Sequence, residues 1–151
     1  MSVEVPARPD RATPHASLSS DLRMTVNRLS RTLRAQKADA SVPDAQFSAL
    51  AQLHRNGPRS LADLSDAEGI TPPSMTKTVN ALIERGLVRK TEDTVDKRKV
   101  LISATDAGAA FVRETRRRRD AWLAPRIAKL TPAERRTLAD ATDILRRLTQ
   151  Q

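Results

Sequence analysis

The sequence predicts a mainly α-helical domain carrying one small antiparallel β-hairpin, and three observations lead there. Aromatic residues make up only 2% of the 151-residue chain, so the core must come from Leu, Val, Ile and Ala, which suits helix-on-helix packing. Most apolar residues recur at helical spacing, in stripes separated by proline, glycine and capping residues. Two short β-compatible runs, Leu87 to Thr91 and Val100 to Ser103, break this pattern, and the polar link between them has hairpin length.

Residues 1–16 hold three prolines, little apolar content and no periodicity, and read as a disordered tail. Residues 17–151 read as a single domain, long enough to bury a core without staples. Ser19 or Ser20 caps a first helix with Leu22, Val26, Leu29 and Leu33 at helical spacing. Pro43 sits in the first turn of a second helix whose inner face is Phe47, Leu50, Ala51 and Leu53; Asn56-Gly57-Pro58 ends it. Ser60-Leu61-Ala62-Asp63 opens a short third helix carrying Leu61 and Leu64, and Glu68-Gly69 breaks the chain before Ile70. Thr71-Pro72 caps a fourth helix that buries Met75, Val79, Leu82 and Ile83 before Gly86. After the hairpin, Thr105-Asp106-Ala107-Gly108 opens a fifth helix running to about Trp122-Leu123, where Pro125 ends or kinks it. Thr131-Pro132-Ala133-Glu134 is a capping box, and the last helix places Leu138, Ala141, Ile144, Leu145 and Leu148 along one stripe.

Composition narrows the class of function. The absence of cysteine excludes a disulfide framework, a thiol-ligated zinc site and a thiol redox sensor, and it is consistent with a reducing cytoplasm. No stretch approaches the ~18 apolar residues needed to span a bilayer, and acid and proline stand where a signal peptide would be basic and then apolar. No membrane partner, metal or cofactor is expected. Catalysis has little support: His15 and His54 are far apart, and no strained nucleophile turn is present. The net charge of +9 points to a polyanion, and its distribution is uneven. Residues 43–70 carry −2, whereas residues 71–104 carry +3 and residues 105–151 carry +5.

The acidic-to-basic step falls between the third and fourth helices. Two short helices joined by a Gly-containing turn match helix-turn-helix spacing, and the hairpin that follows has the basic tip Asp96-Lys97-Arg98-Lys99. That is the layout of a helix entering a groove of double-stranded DNA beside a β-wing that grips the neighbouring backbone. Ser74, Thr76, Lys77 and Asn80 lie opposite Met75, Val79 and Leu82 on the fourth helix. Lys77 suits guanine acceptors or a phosphate, and Asn80 suits bidentate pairing with adenine. Ser74 and Thr76, near the helix N-terminus, suit phosphate contacts helped by backbone donors.

With these pieces in place, the chain resembles the MarR (multiple antibiotic resistance regulator) family of winged-helix transcription factors over roughly residues 18–150. The resemblance rests on Gln46-Phe47-Ser48-Ala49-Leu50, on the run from Ser74 through Arg85-Gly86-Leu87-Val88-Arg89, on Asp96-Lys97-Arg98, and on Thr105-Asp106-Ala107-Gly108. Two departures stand out: Ala104 replaces the usual leucine, and no proline precedes the wing aspartate. The resemblance implies a winged helix at about 43–104 flanked by dimerisation helices at about 18–40 and 105–150. It further implies a homodimer, most simply a repressor, with recognition helices in the major groove and wings in the minor groove. Arg98 would enter that groove with Asp96 fixing it or the wing backbone, and Lys97, Lys99 and Arg89 would meet phosphates. An architectural binder with little sequence preference remains the alternative.

The family often binds small aromatic molecules between the dimer helices and the DNA-binding lobe. Phe47, Leu50, Phe111 and Trp122 are the residues for such a crevice here, and they are equally the expected core. The run Arg116 to Arg119 covers all sides of its helix and reads mainly as solvated surface with partial stem packing.

Overall fold

A computed structural model describes residues 14–150, with six helices and two strands among them. The expected disordered tail lies outside the described residues up to position 13. The first helix, α1, begins at Pro14 and runs to Arg34, five residues ahead of the earlier expected serine cap at Ser19. Proline needs no backbone donor in a first turn, so Pro14 opens the helix as readily as a serine would cap it. The chain divides into two compact units, residues 1–35 and 36–151, with α1 in the first. No helix among the described residues is long and apolar enough to cross a membrane.

The second unit begins with α2 (Asp44–Asn56), for which Pro43 is the cap rather than a first-turn residue. The helices α3 (Leu61–Glu68) and α4 (Pro72–Glu84) follow. Ser60 accepts from the Asp63 amide at 3.1 Å to start α3. Gly69 ends it in the left-handed region at φ 64°, where a Cβ would be strained. The strands β1 (Val88–Glu92) and β2 (Val100–Ala104) pair antiparallel, with Val88 opposite Ala104 and Glu92 opposite Val100. Arg59 adds a third, single-residue rung by exchanging two backbone hydrogen bonds with Ile102, at 3.0 and 2.7 Å. The core sits where these elements meet: Leu50, Leu64, Met75, Leu82 and Ile102 are completely enclosed. Ile83, expected inside, is 36% exposed, because the buried stripe of α4 runs through Met75, Val79 and Leu82 and leaves position 83 at its edge.

The junction into α5 (Asp106–Ala128) is made by Thr105. The Thr105 hydroxyl donates to the Gly86 carbonyl at 2.6 Å, and the Thr105 amide donates to the Leu87 carbonyl at 3.0 Å. The same hydroxyl accepts from the Gly108 amide, capping α5. Gly108 faces the Leu87 carbonyl so closely that a Cβ would overlap that oxygen. The start of α5 is thereby locked to the base of the hairpin.

Helix α5 does not stop before Pro125 but runs three residues beyond it. Proline removes the intrahelical donor that would meet the Ala121 carbonyl; one residue further on, the Arg126 guanidinium donates to the Trp122 carbonyl at 2.6 Å. The expected capping box at Thr131 and Glu134 is present and opens α6 (Pro132–Leu148). No residue of α6 is buried; Leu138, Ile144 and Leu148 are 43%, 49% and 52% exposed.

Candidate nucleic-acid interface

Helix α4 presents two chemically different faces. Met75, Val79 and Leu82 are buried, while Ser74, Thr76, Lys77 and Asn80 are all exposed and share one shallow surface with Pro73. This partition follows from helical spacing, since positions three and four apart share a face. At the helix start the Thr71 hydroxyl donates to the Ser74 hydroxyl at 3.0 Å rather than capping a backbone amide. Pro72 and Pro73, the first two residues of the helix, carry no backbone N–H, so the Ser74 amide is the first-turn donor left to meet an anion. The Thr76 hydroxyl donates to the Pro72 carbonyl at 2.9 Å, so it must rotate off that bond before it can donate to a phosphate. Among the described residues, Asn80 and Lys77 have no side-chain partner that would compete with a base edge.

The hairpin tip is held by its two aspartates. Asp93 accepts from the Val95 amide at 2.9 Å, and Asp96 accepts from the Arg98 amide at 3.1 Å. Two backbone bonds, Asp93 to the Lys99 carbonyl and Lys99 to the Asp96 carbonyl, close the turn. Asp96 Oδ1 also meets Arg98 Nε at 3.3 Å, although the Arg98 side chain remains 92% exposed. Asp96 thus fixes both the tip backbone and the direction of the guanidinium, leaving the outer nitrogens free to reach away. Lys97 and Lys99 are exposed beside it, and Arg89 is exposed at the hairpin base opposite Ser103.

Sequence reasoning missed three residues here. Lys90, exposed on β1, lines a cleft of about 270 Å³ between α4 and the hairpin together with Thr76, Asn80 and Val100. Strand alternation alone gave no reason to prefer it over Arg89. Thr71 enters through its hydroxyl contact to Ser74. Arg85, at the end of α4, donates to the Ser41 hydroxyl and carbonyl at 3.1 and 2.9 Å, a tie across 44 positions that no local pattern announces.

The four expected effector residues are not gathered together. Phe47 and Leu50 are buried in the core, and the Phe47 and Phe111 rings meet at a tilt of 60° with their centroids 5.9 Å apart. Trp122 lies roughly 16 Å further along α5 than Phe111, under the Arg126 guanidinium. The arginine run divides its work. Arg117 and Arg118 both bind Glu114, and their hydrogen bonds, Arg117's foremost, hold its carboxyl down at about 2. Arg118 also donates to the Lys37 carbonyl, and Arg119 stacks 4.5 Å over the Phe47 ring.

A helix-turn-helix whose second helix turns a polar face outward, followed by an ordered hairpin with a basic tip, defines a winged-helix regulator that works on DNA. The MarR family model matches residues 42–100, from just before α2 to the first residue of β2. Over 130 residues the chain is 39% identical to an uncharacterized HTH-type transcriptional regulator of Mycobacterium bovis, covering 86% of this chain and 91% of the relative. The fold superposes on the crystal structure of RV1404 from Mycobacterium tuberculosis with a TM-score of 0.81, 25% identity and coverage of 93% and 97%. It also superposes on Bordetella bronchiseptica BpsR, whose DNA binding is regulated by 6-hydroxynicotinic acid, with a TM-score of 0.64, 27% identity and coverage of 88% and 98%. The chain belongs to the MarR family and is a DNA-binding transcriptional regulator.

The residue roles separate by chemistry. Asn80→Ala is expected to relax preference at one base position and cost about 1–3 kcal/mol on the best site, with non-specific affinity nearly intact. Lys97→Ala is expected to weaken all sequences alike and flatten the salt dependence by about one unit. Titrations of specific and random duplexes at several salt concentrations distinguish the two; identical profiles would refute this division.

Proposed function

We propose that the protein is a homodimeric repressor that reads a pseudo-palindromic operator and is released by a small aromatic ligand. The observation that carries the reading is the exposed polar face of α4 in the same fold as a hairpin tip fixed by Asp93 and Asp96. Ser74, Thr76, Lys77 and Asn80 then work in the major groove, with Arg98 in the minor groove and Arg89, Lys97 and Lys99 on phosphates. Exposed apolar positions on α6 support a second copy as the covering surface, and so do Leu18, Met24, Val26 and Leu29 on α1. One recognition unit alone makes a small interface, and two related by a dyad make a specific one. Repression is the outcome that needs no further partner, because an occupied operator excludes polymerase from the same DNA. Ligand release is supported by the effector-regulated relative BpsR, and the half-buried Phe111 and Trp122 are the aromatic surfaces left for it.

Selection of bound DNA from a random pool tests the core of this reading. Inverted half-sites about one helical turn, ~10 bp, apart centre to centre are expected, with discrimination of ~10³-fold or more over random duplex. Sedimentation should give a dimer at micromolar concentration. A monomer together with selected DNA lacking inverted symmetry would defeat the proposal, and near-equal binding of all sequences would make the protein an architectural binder instead.

A further inference from the structure

The apex of the hairpin is apolar. Val95 is 93% exposed, more than any other large hydrophobic residue described, and its two methyl groups cover nothing in the fold. Nor is it loosely placed, since its amide is held by Asp93 at 2.9 Å and the turn beyond it is closed by the Lys99 and Arg98 amides on Asp96. The isopropyl group therefore stands in solvent beside the charged turn, on backbone that holds it in place. Three cations, Lys97, Arg98 and Lys99, lie within four residues of it, so a surface that meets this tip is anionic and comes within reach of the isopropyl group as well.

We propose that Val95 is an apolar contact to the minor groove of double-stranded DNA, its methyl groups packing on the deoxyribose walls beside the Arg98 guanidinium. The minor groove, about 6 Å wide, combines phosphate rims with hydrocarbon sugar edges, which matches this pairing of isopropyl and cation. The Val95 side chain is too short to wedge base pairs apart, so the contact adds affinity and sensitivity to groove width without kinking the duplex. The inference rests on the reading that the hairpin reaches that groove.

The test uses the full-length protein and a fluorescent duplex recovered by selection from a random pool, titrated at several salt concentrations. Val95→Thr keeps the shape but exchanges one methyl for a hydroxyl. It is expected to weaken binding about 4-fold per hairpin, compounding to roughly 16-fold when two hairpins engage. Val95→Ala should lose at least as much. Neither substitution alters a charge, so the slope of affinity against salt stays that of the wild type, and thermal melting is unchanged because Val95 buries no protein surface. Arg98→Ala serves as the reference and should lower the slope by about one unit per hairpin. If the Val95 variants bind like the wild type while Arg98→Ala lowers the slope, the apolar contact is overturned and the wing reading stands. If none of the three changes either affinity or slope, the hairpin does not touch DNA and the reading beneath the proposal falls with it.

Discussion

Gly108→Ala is expected to destabilise the fold by about 3 kcal/mol or more, a size reserved for overpacking against groups that cannot yield. A methyl at this position would overlap the Leu87 carbonyl oxygen, which is backbone and already accepts the Thr105 amide. Relief would require α5 to lift from the hairpin base, and that movement breaks the Thr105 bonds to the Gly86 and Leu87 carbonyls together. Thermal unfolding should show a midpoint lowered by roughly 6–12 °C for a chain of this size. Ala107→Gly, one residue away on the exposed side, should cost no more than about 1 kcal/mol. A wild-type midpoint for Gly108→Ala would mean that α5 does not dock on Leu87 as described.

The second large effect concerns Arg98. Arg98→Ala should lose about 2 kcal/mol of binding on operators with A/T-rich flanks and about half of that on G/C-rich ones. The narrow groove of A/T tracts concentrates negative potential, and a guanidinium steered by Asp96 at 3.3 Å is positioned to use it. Arg98→Lys should recover only part of the loss, since a point charge does not reproduce the planar fork. Affinities of wild type and both variants on paired sites differing only in their flanks decide the matter. Equal losses on both flanks would place Arg98 on phosphates and reduce the wing to a non-specific clamp.

Features with a local cause were legible in the sequence. The caps at Ser60, Thr105 and Thr131, the glycine stops, and the buried stripe of α4 apart from Ile83 each depend on residues three or four apart, and they appear where spacing put them. The polar face of α4 was legible for the same reason. What escaped depends on distant partners. Val42, Ala49, Val88 and Val112 are core residues with no strong periodic signal, because their burial is decided by which element packs over them. The Arg59 rung on Ile102 joins positions 43 apart in number, and nothing in the short run after Pro58 marks it as strand. The passage of α5 through Pro125 also escaped, since a proline reads locally as a stop and nothing beside it in the sequence marks three further helical residues. The aromatic set split because Phe47 and Phe111 face each other while Trp122 lies three turns away.

The short connection between residues 36 and 43 is fastened at several points. Arg85, ending α4, holds Ser41. Buried Thr115 of α5 accepts from the Ala38 amide at 3.2 Å, and Arg118 grips the Lys37 carbonyl at 3.1 Å. Lys37 itself ties to the Val42 carbonyl and to Asp44 at 2.7 and 2.8 Å. In mechanical terms this segment is a crank rather than a slack cord, pinned to α5 at Lys37 and Ala38 and to the end of α4 at Ser41. In the proposed dimer these pins would couple the pitch between the two α4 helices to the placement of α5.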